Sequence, residues 1–530
     1  MRQRLASRLE AGLGKGWRTE LAALAGIAAV AVATRFANLP ARGGWDADQG
    51  VEMGALRQAV QSGSLPTFGP EAISVGGSFH HGALYYDLLL PAAWLGGGDP
   101  TFVVAEIALL SLLVVPIVWW IARTMAGVAA GLIAALLAAV SAALVGYATF
   151  IWNPTLVEPA AAVAFLGAWQ AWRTADPRWW LVAAAGTAVA AQAHVAAAVL
   201  VLPMAAVFAA DLRRGRSTGG GRRVAAWGLA AAALFAVTYA PLIVYELGHD
   251  FSESRGMLGY LSGGDATQAR DPITRVLFGG IRMLAWPLTS WPLKDLKPAL
   301  LIALLVALSL VWGLLWRLLP GRVADPRERA GVRFTAGLLG LTILALGLGL
   351  KAVSAVSDLP TEQYHFAADP LVIVAAGVVL GALWRAGSGR PKAGALARAS
   401  VAATLIFLVA WNAVRWPPLT SPDGGWPAAQ QAADRIRGVA AGDAIALVPL
   451  FAEKGTAAYS YPLALQGSEV VDRSRAGTIV VLCDRFWLTG CGGPAEEAWR
   501  SSQPDGARLT LVDRFDAAPD RVLSIYKRSP

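Results

Sequence analysis

The chain has 530 residues, of which 56% are hydrophobic and 15% charged, and its mean hydropathy is +0.50. A soluble domain carries about 25% charged residues, so composition excludes an ordinary water-soluble protein and points to a polytopic membrane chain. The net charge of +9 does not mark a nucleic-acid binder, because Lys and Arg fall in short clusters between apolar runs, the pattern of retained cytoplasmic loops.

Apolar runs of about 20 residues, the length that crosses a ~30 Å hydrocarbon core, recur along the chain. About eleven spans are predicted, at 19–37, 101–122, 126–147, 157–173, 179–192, 195–211, 223–246, 298–318, 332–350, 367–385 and 397–415. The first follows Arg2, Arg4, Arg8, Lys15 and Arg18 with no small-residue cleavage site after it, so it reads as an uncleaved span with the N-terminus inside. With that orientation the clusters around Arg123, Arg173, Arg213–Arg223, Arg317–Arg333 and Arg385–Arg398 all fall on the cytoplasmic side, as the positive-inside rule requires. Merging 179–211 into one span would move the later clusters outside, so that run is split near Gln192–His194. The fold class that follows is mostly α, a polytopic transmembrane helical bundle (residues 1–416) with a small extracytoplasmic α/β domain (residues 417–530).

Three outer segments are long: 38–99, 247–297 and the tail. The first carries Gly43-Gly44-Trp45-Asp46-Ala47-Asp48-Gln49-Gly50 directly after span one. Asp46 and Asp48 at a membrane surface can serve as a general base or help hold a divalent metal ion; the alternative is a solvated loop with ordinary acids. The same segment then reads Phe79-His80-His81-Gly82-Ala83-Leu84-Tyr85-Tyr86. His80 and His81 are adjacent and point apart on a regular element, so one metal does not take both. An interfacial amphipathic helix is expected over 82–98, with Tyr85, Tyr86 and Trp94 as anchors.

Glu158 is an isolated acid in the apolar stretch between spans three and four, and Gln192 and His194 form a polar pair inside an Ala/Val-rich run. Such groups need partners in a membrane; interhelical hydrogen bonds alone would also satisfy them. The tail changes character, with strand-like runs Ala444–Pro449, Thr478–Cys483, Leu509–Val512 and Val522–Tyr526 and a helical stretch Pro427–Val439. Cys483 and Cys491 both lie there; they are either two free thiols or one local disulfide, and an oxidising compartment favours the disulfide. No glycine-rich phosphate loop or Walker pattern is present, which argues against nucleotide hydrolysis.

An acid just after the first span, a long outer loop, and the segment His81-Gly82-Ala83-Leu84-Tyr85-Tyr86 before the second span resemble the glycosyltransferase C superfamily (GT-C). Within it the likeness is to the protein mannosyltransferase and aminoarabinose transferase group, glycosyltransferase family 39 and its bacterial kin. Those enzymes often carry Pro-Pro-Leu-Tyr-Tyr and Asp-Glu where this chain has Gly82-Ala83-Leu84-Tyr85-Tyr86 and Asp46-Ala47-Asp48. The resemblance covers residues 20–210 well and the later spans loosely.

It implies an inverting transfer of a monosaccharide from a polyprenyl-phosphate carrier in the bacterial inner membrane to a glycan, lipid or protein acceptor, on the extracytoplasmic face. Asp46 takes the place of the catalytic acid, with Asp48 beside it and Glu158 orienting the acceptor or supporting Asp46. His80, His81 and Tyr85 belong to the acceptor-side loop. The donor phosphate needs outer cations, for which the chain offers Arg255, Arg270, Arg275, Arg282, Lys294 and Lys351; Arg255 is favoured and Lys351 second, with His194 and His365 facing the donor. Two other readings remain: a lipid-linked saccharide ligase or polymerase using a diphosphate donor, and a transporter or flippase. Against the last, no internal repeat is evident and the polar residues gather at one surface.

Overall fold

The computed structural model describes residues 16–74, 77–262, 271–292, 298–350, 361–386, 391–451 and 455–529. Arg2, Arg4, Arg8, Lys15, Arg270, Lys294, Lys351 and Arg390 lie outside the described residues.

A helix stands at each predicted apolar run. Seven helices are long and apolar enough to cross a membrane: Trp17–Phe36, Pro100–Ala126, Val195–Ser217, Pro298–Leu318, Pro326–Gly349, Glu362–Arg385 and Pro391–Ala413. Gly221–Thr238 and Ala240–Gly248 qualify together, bent by 58°. The bend falls where Pro241, in the first turn of the second helix, cannot donate to the preceding turn. Val157–Thr174 and the shorter apolar helices Val128–Val140 and Trp179–Ala193 fill the remaining runs. The stretch 179–211 is broken at His194, whose φ of −154° and ψ of 132° are extended.

Charged side chains close one end of the bundle. Arg123 pairs with the buried Glu20 at 2.5 Å, and Trp119 donates to the same carboxylate at 3.1 Å. Arg317 and Arg385 both bind Glu328, the latter at 2.9 Å. These pairs lie at the helix ends to which the basic loops were assigned.

The opposite end carries the long segments, whose described residues form helices and a hairpin. After span one come the helix Ala47–Ser62, the antiparallel hairpin β1 (Glu71–Ser74) and β2 (Gly77–His80), and the helix Leu84–Leu95. The helix expected over 82–98 forms, but its tyrosines are not anchors. Tyr85 and Tyr86 are 0% and 5% exposed, and only Trp94 is largely exposed, at 69%. The reason is a partner set by tertiary contact, on the helix Ala47–Ser62: the Tyr86 hydroxyl bonds the carboxyl of Glu52, itself 5% exposed. Gln192 explains Gly82. It accepts from the Leu84 amide at 3.3 Å and donates to Thr238 at 2.8 Å, and a Cβ on Gly82 would collide with its side-chain amide. Residues 247–297 also hold helices, Ser252–Ser262 and Pro272–Thr289.

The C-terminal part forms a four-stranded sheet of β3 (Ile445–Pro449), β4 (Thr478–Asp484), β5 (Leu509–Ala518) and β6 (Arg521–Arg528) in the order β3-β4-β6-β5. β3 and β4 are parallel and joined through the helix Ala457–Leu465; the other pairings are antiparallel. β4 is buried along nearly its whole length, which accounts for its unbroken apolar run rather than an alternating one. Cys483 and Cys491 are joined in a disulfide.

This sheet domain docks on the chain leaving span one. Trp45 Nε1 donates to Ala458 O at 2.7 Å, the Trp45 amide to Asp423 Oδ2 at 2.8 Å, and its ring packs 4.5 Å from that of Trp426. Gly50 lies so close to Ala457 that a Cβ would strike the carbonyl oxygen.

Two predictions follow from this architecture. Ser502 is exposed and both native cysteines are bonded to each other, so Ser502→Cys introduces a single reactive thiol. An impermeant maleimide should label it on intact cells; labelling only after permeabilisation would place the sheet domain inside. The second concerns Glu52. Burial raises its carboxyl from an ordinary 4.5 to about 8, with Tyr86 and Asp48 as smaller influences. Between those values the folded chain keeps a proton that the unfolded chain releases, so this group's stabilisation is complete below about pH 4.5 and is lost as pH rises toward about 8. The Tm in detergent should therefore fall across that window, and Glu52→Gln should flatten the fall; an unchanged slope in the variant would refute the assignment.

Candidate functional site

Asp46 begins the helix Ala47–Ser62 as its N-cap. Its carboxylate accepts from the Ala47 amide at 2.6 Å, and its own amide donates to Gln49 Oε1 at 2.8 Å, completing a capping box. The side chain remains 45% exposed, with Arg521 of β6 at 3.9 Å from Oδ1. Asp48 lies in the first turn of the same helix and is exposed; both acids sit where the helix dipole favours negative charge. The loop around the predicted acid is thus a rigid helix start.

Arg521 secures it. The guanidinium is buried, donates to Trp45 O at 2.9 Å and to Asp423 Oδ2 at 3.2 Å, and lies 3.5 Å from Asp520. Burial opposes its charge, but Tyr459, Asp46, Asp520 and Asp423 outweigh that and hold it above the ordinary arginine range.

A wall of rings stands where the hairpin meets helix Ser252–Ser262. The His80 amide donates to Glu253 Oε2 at 2.6 Å, and His80 Nδ1 is 3.2 Å from the same oxygen. His81 is 5% exposed, its ring 6.0 Å from that of His194, which in turn is 5.6 Å from Tyr364. Burial, with smaller contributions from His194 and His80, pushes His81 down to about 3, so it stays neutral at pH 7. Arg255 is exposed on the same short helix as Glu253. The structure thus brings together His80, His81, His194 and the helix of Arg255, contributed by three separate stretches of sequence. Lys351, the second cation expected at the donor, lies outside the described residues.

Glu158 is not at the surface. It is 2% exposed in the first turn of Val157–Thr174, facing Arg35 and Asp369, both 0% exposed. Arg35 donates to Ser111 Oγ at 3.1 Å and to the carbonyls of Ala138 and Ala139 at 3.1 and 3.3 Å. His365 is likewise 0% exposed, with Nδ1 3.7 Å from Asp369. Arg282, one of the outer cations, is engaged: it pairs with Glu362 at 3.0 Å and donates to Thr361 at 2.6 Å.

Sequence reading passed over Arg35, Glu52, Asp369 and Arg521. Arg35 and Asp369 carried a signal, since an ionisable residue inside an apolar run marks a polar partner. Glu52 carried one too, standing one helical turn after Asp48. Arg521 is 475 residues from Asp46 in sequence, and nothing local announces it. Among the described residues no group of three or more His, Cys, Asp or Glu side chains forms a metal-ligand set, so Asp46 and Asp48 gain no third such ligand there.

The chain matches no protein-family model and no curated protein. Among solved structures it is similar to ArnT from Cupriavidus metallidurans. In the apo state the TM-score is 0.58 at 13% identity, covering 94% of this chain and 97% of that one. For ArnT bound to undecaprenyl phosphate the TM-score is 0.59 at 12% identity, with the same coverage. The likeness runs nearly end to end on both chains, through the bundle and the sheet domain: this chain shares the fold of ArnT, the GT-C fold.

Proposed function

We propose that the chain is a membrane glycosyltransferase that takes a monosaccharide from a polyprenyl-phosphate carrier and transfers it, on the extracytoplasmic face, to a glycan, lipid or protein acceptor. One observation carries this reading: the two acids directly after span one sit on a fixed helix start, latched by Arg521, in a chain that shares its fold with ArnT, a protein solved with undecaprenyl phosphate.

In this reading Asp46 is the general base. It removes the proton from the acceptor hydroxyl or amine as that atom attacks the anomeric carbon. The bond between the anomeric carbon and the phosphate oxygen breaks, and the lipid phosphate leaves with the electron pair. Attack opposite the leaving group inverts the anomeric centre, and no covalent enzyme intermediate is needed. Asp48 orients the acceptor, Arg255 meets the leaving phosphate, and the neutral His81 and His194 line the site. Glu158, buried facing Arg35 and Asp369, acts through the position of the spans.

Asn is as good an N-cap as Asp, so Asp46→Asn keeps the helix start while removing the proton acceptor and one of the three carboxylates facing Arg521, whose charge Asp423 and Asp520 still meet. At saturating donor its turnover should fall by roughly 10²–10⁴-fold with normal protein level, and Asp48→Asn should lose less. Full activity in Asp46→Asn would end the assignment, and a deeper defect in Asp48→Asn would transfer it. A separate measurement addresses the phosphate. Arg255→Ala should raise the apparent KM for the polyprenyl donor by roughly ten-fold or more, the worth of one charge-assisted contact, while leaving the acceptor KM in place. An unchanged donor KM would remove Arg255 from the role.

A further inference from the structure

The chain leaving span one and the chain leaving the last span converge on a cavity of about 400 Å³, within the range of small-ligand sites. Its lining includes Arg42, Tyr147, Phe150, Trp286, Ser290 and Arg415. Arg42 follows the helix Trp17–Phe36 and Arg415 follows Pro391–Ala413, so the cavity lies at the ends of both helices.

The lining is unbalanced in charge and in hydrogen bonding. Two guanidinium groups face the cavity, and no carboxylate does among the described residues that line it. Arg42 is 5% exposed; it donates to the carbonyls of Thr34 and Pro417, yet its Nε has no partner among the described residues. Trp286 is 8% exposed, and its Nε1 likewise has none. Ser290, by contrast, is satisfied: it donates to Asn412 Oδ1 at 2.8 Å and accepts from the Ala143 amide at 2.8 Å. Arg415 lies over the Trp411 ring at 3.6 Å and donates to Trp411 O at 3.1 Å, which holds it at the rim. Buried donors are almost always paired, and leaving one unmade is unfavourable. Two such donors beside two cations call for an anionic acceptor with several oxygens.

We propose that this cavity binds the phosphate head of a membrane lipid, through Arg42 Nε, Trp286 Nε1 and the Arg415 guanidinium, as a site separate from the donor phosphate at Arg255. The inference rests on the membrane placement of the chain and not on the transfer reaction. A polyprenyl phosphate and an anionic phospholipid offer the same head chemistry.

Native mass spectrometry of the full chain, delipidated in detergent and then given undecaprenyl phosphate, phosphatidylglycerol or neutral undecaprenol, tests it. The wild type should retain a phosphate lipid that undecaprenol does not replace. Arg415→Gln and Trp286→Phe should each carry one copy fewer, or bind that copy roughly ten-fold or more weakly. Arg42→Gln also loosens the anchoring of Thr34 and Pro417, so the other two variants decide. Retention of undecaprenyl phosphate alone identifies the carrier as the ligand, and retention of phosphatidylglycerol alone identifies bulk anionic lipid. Equal retention by wild type, Arg415→Gln and Trp286→Phe, or equal binding of undecaprenol, would overturn the site. The readout is retention, so it stands or falls independently of turnover in Asp46→Asn.

Discussion

The contact on which the outer half of this molecule depends is the burial of Arg521 between the backbone of Trp45 and the carboxylate of Asp423. A guanidinium taken out of water is tolerable only when its donors and its charge are both met. Here a carbonyl and three carboxylates meet them, and one of the three belongs to Asp46. The latch joins β6 to the residues immediately after span one. A segment that would otherwise be a flexible exit becomes a helix start with fixed dihedral angles. The sheet domain is therefore part of what positions the acids, and its core runs continuously into that of the bundle through Trp45, Trp426 and Tyr461.

The bundle follows a second constraint, that polar groups at membrane depth find partners within the protein. Arg35 answers with backbone carbonyls of the neighbouring helix and with Ser111, while facing Glu158. Arg282 and Glu362 answer each other at 3.0 Å. These pairs tie helices that are far apart in sequence, and the segment Glu362–Ala368 joins the interior charges to the ring wall through Tyr364 and His365. The interior charges and the outer loops thus form one connected framework.

The sequence made the spans readable because apolar length and basic clustering are summed over many residues. The break at His194 was legible for the same reason, since the charge pattern failed without it. The strands of the sheet domain were legible as apolar runs between polar turns, although β5 extends past Val512 because β6 folds back to pair with it as far as Ala518. Partners set by tertiary contact were not legible. Tyr85 and Tyr86 read as interface anchors because nothing local reveals Glu52 beneath them. Glu158 read as an isolated acid in need of a partner, but the groups it faces, Arg35 and Asp369, come from the first span and the tenth and could not be named. For the candidate site, the acids and histidines could be named from the sequence, whereas the groups that hold them could not.

Between Arg42 and Asp46 the chain places a cation and an acid four residues apart, a separation of at most about 14 Å between their Cα atoms even if fully extended. Arg42 faces the cavity at the span exit, and Asp46 opens the helix beneath the sheet domain. Trp45 fixes the segment by three backbone or ring contacts to the C-terminal part, so neither group can move far without the other. Gly43 and Gly44 line the cavity on this same segment. A side chain at Gly43 would collide with the Thr149 carbonyl, so this segment is packed tightly against the neighbouring chain. A lipid phosphate held by Arg42 would therefore lie within reach of the segment that carries the base. Its head group would be held by an element of the same rigid piece that presents Asp46, and the geometry between the two would be set by the protein rather than by the bilayer.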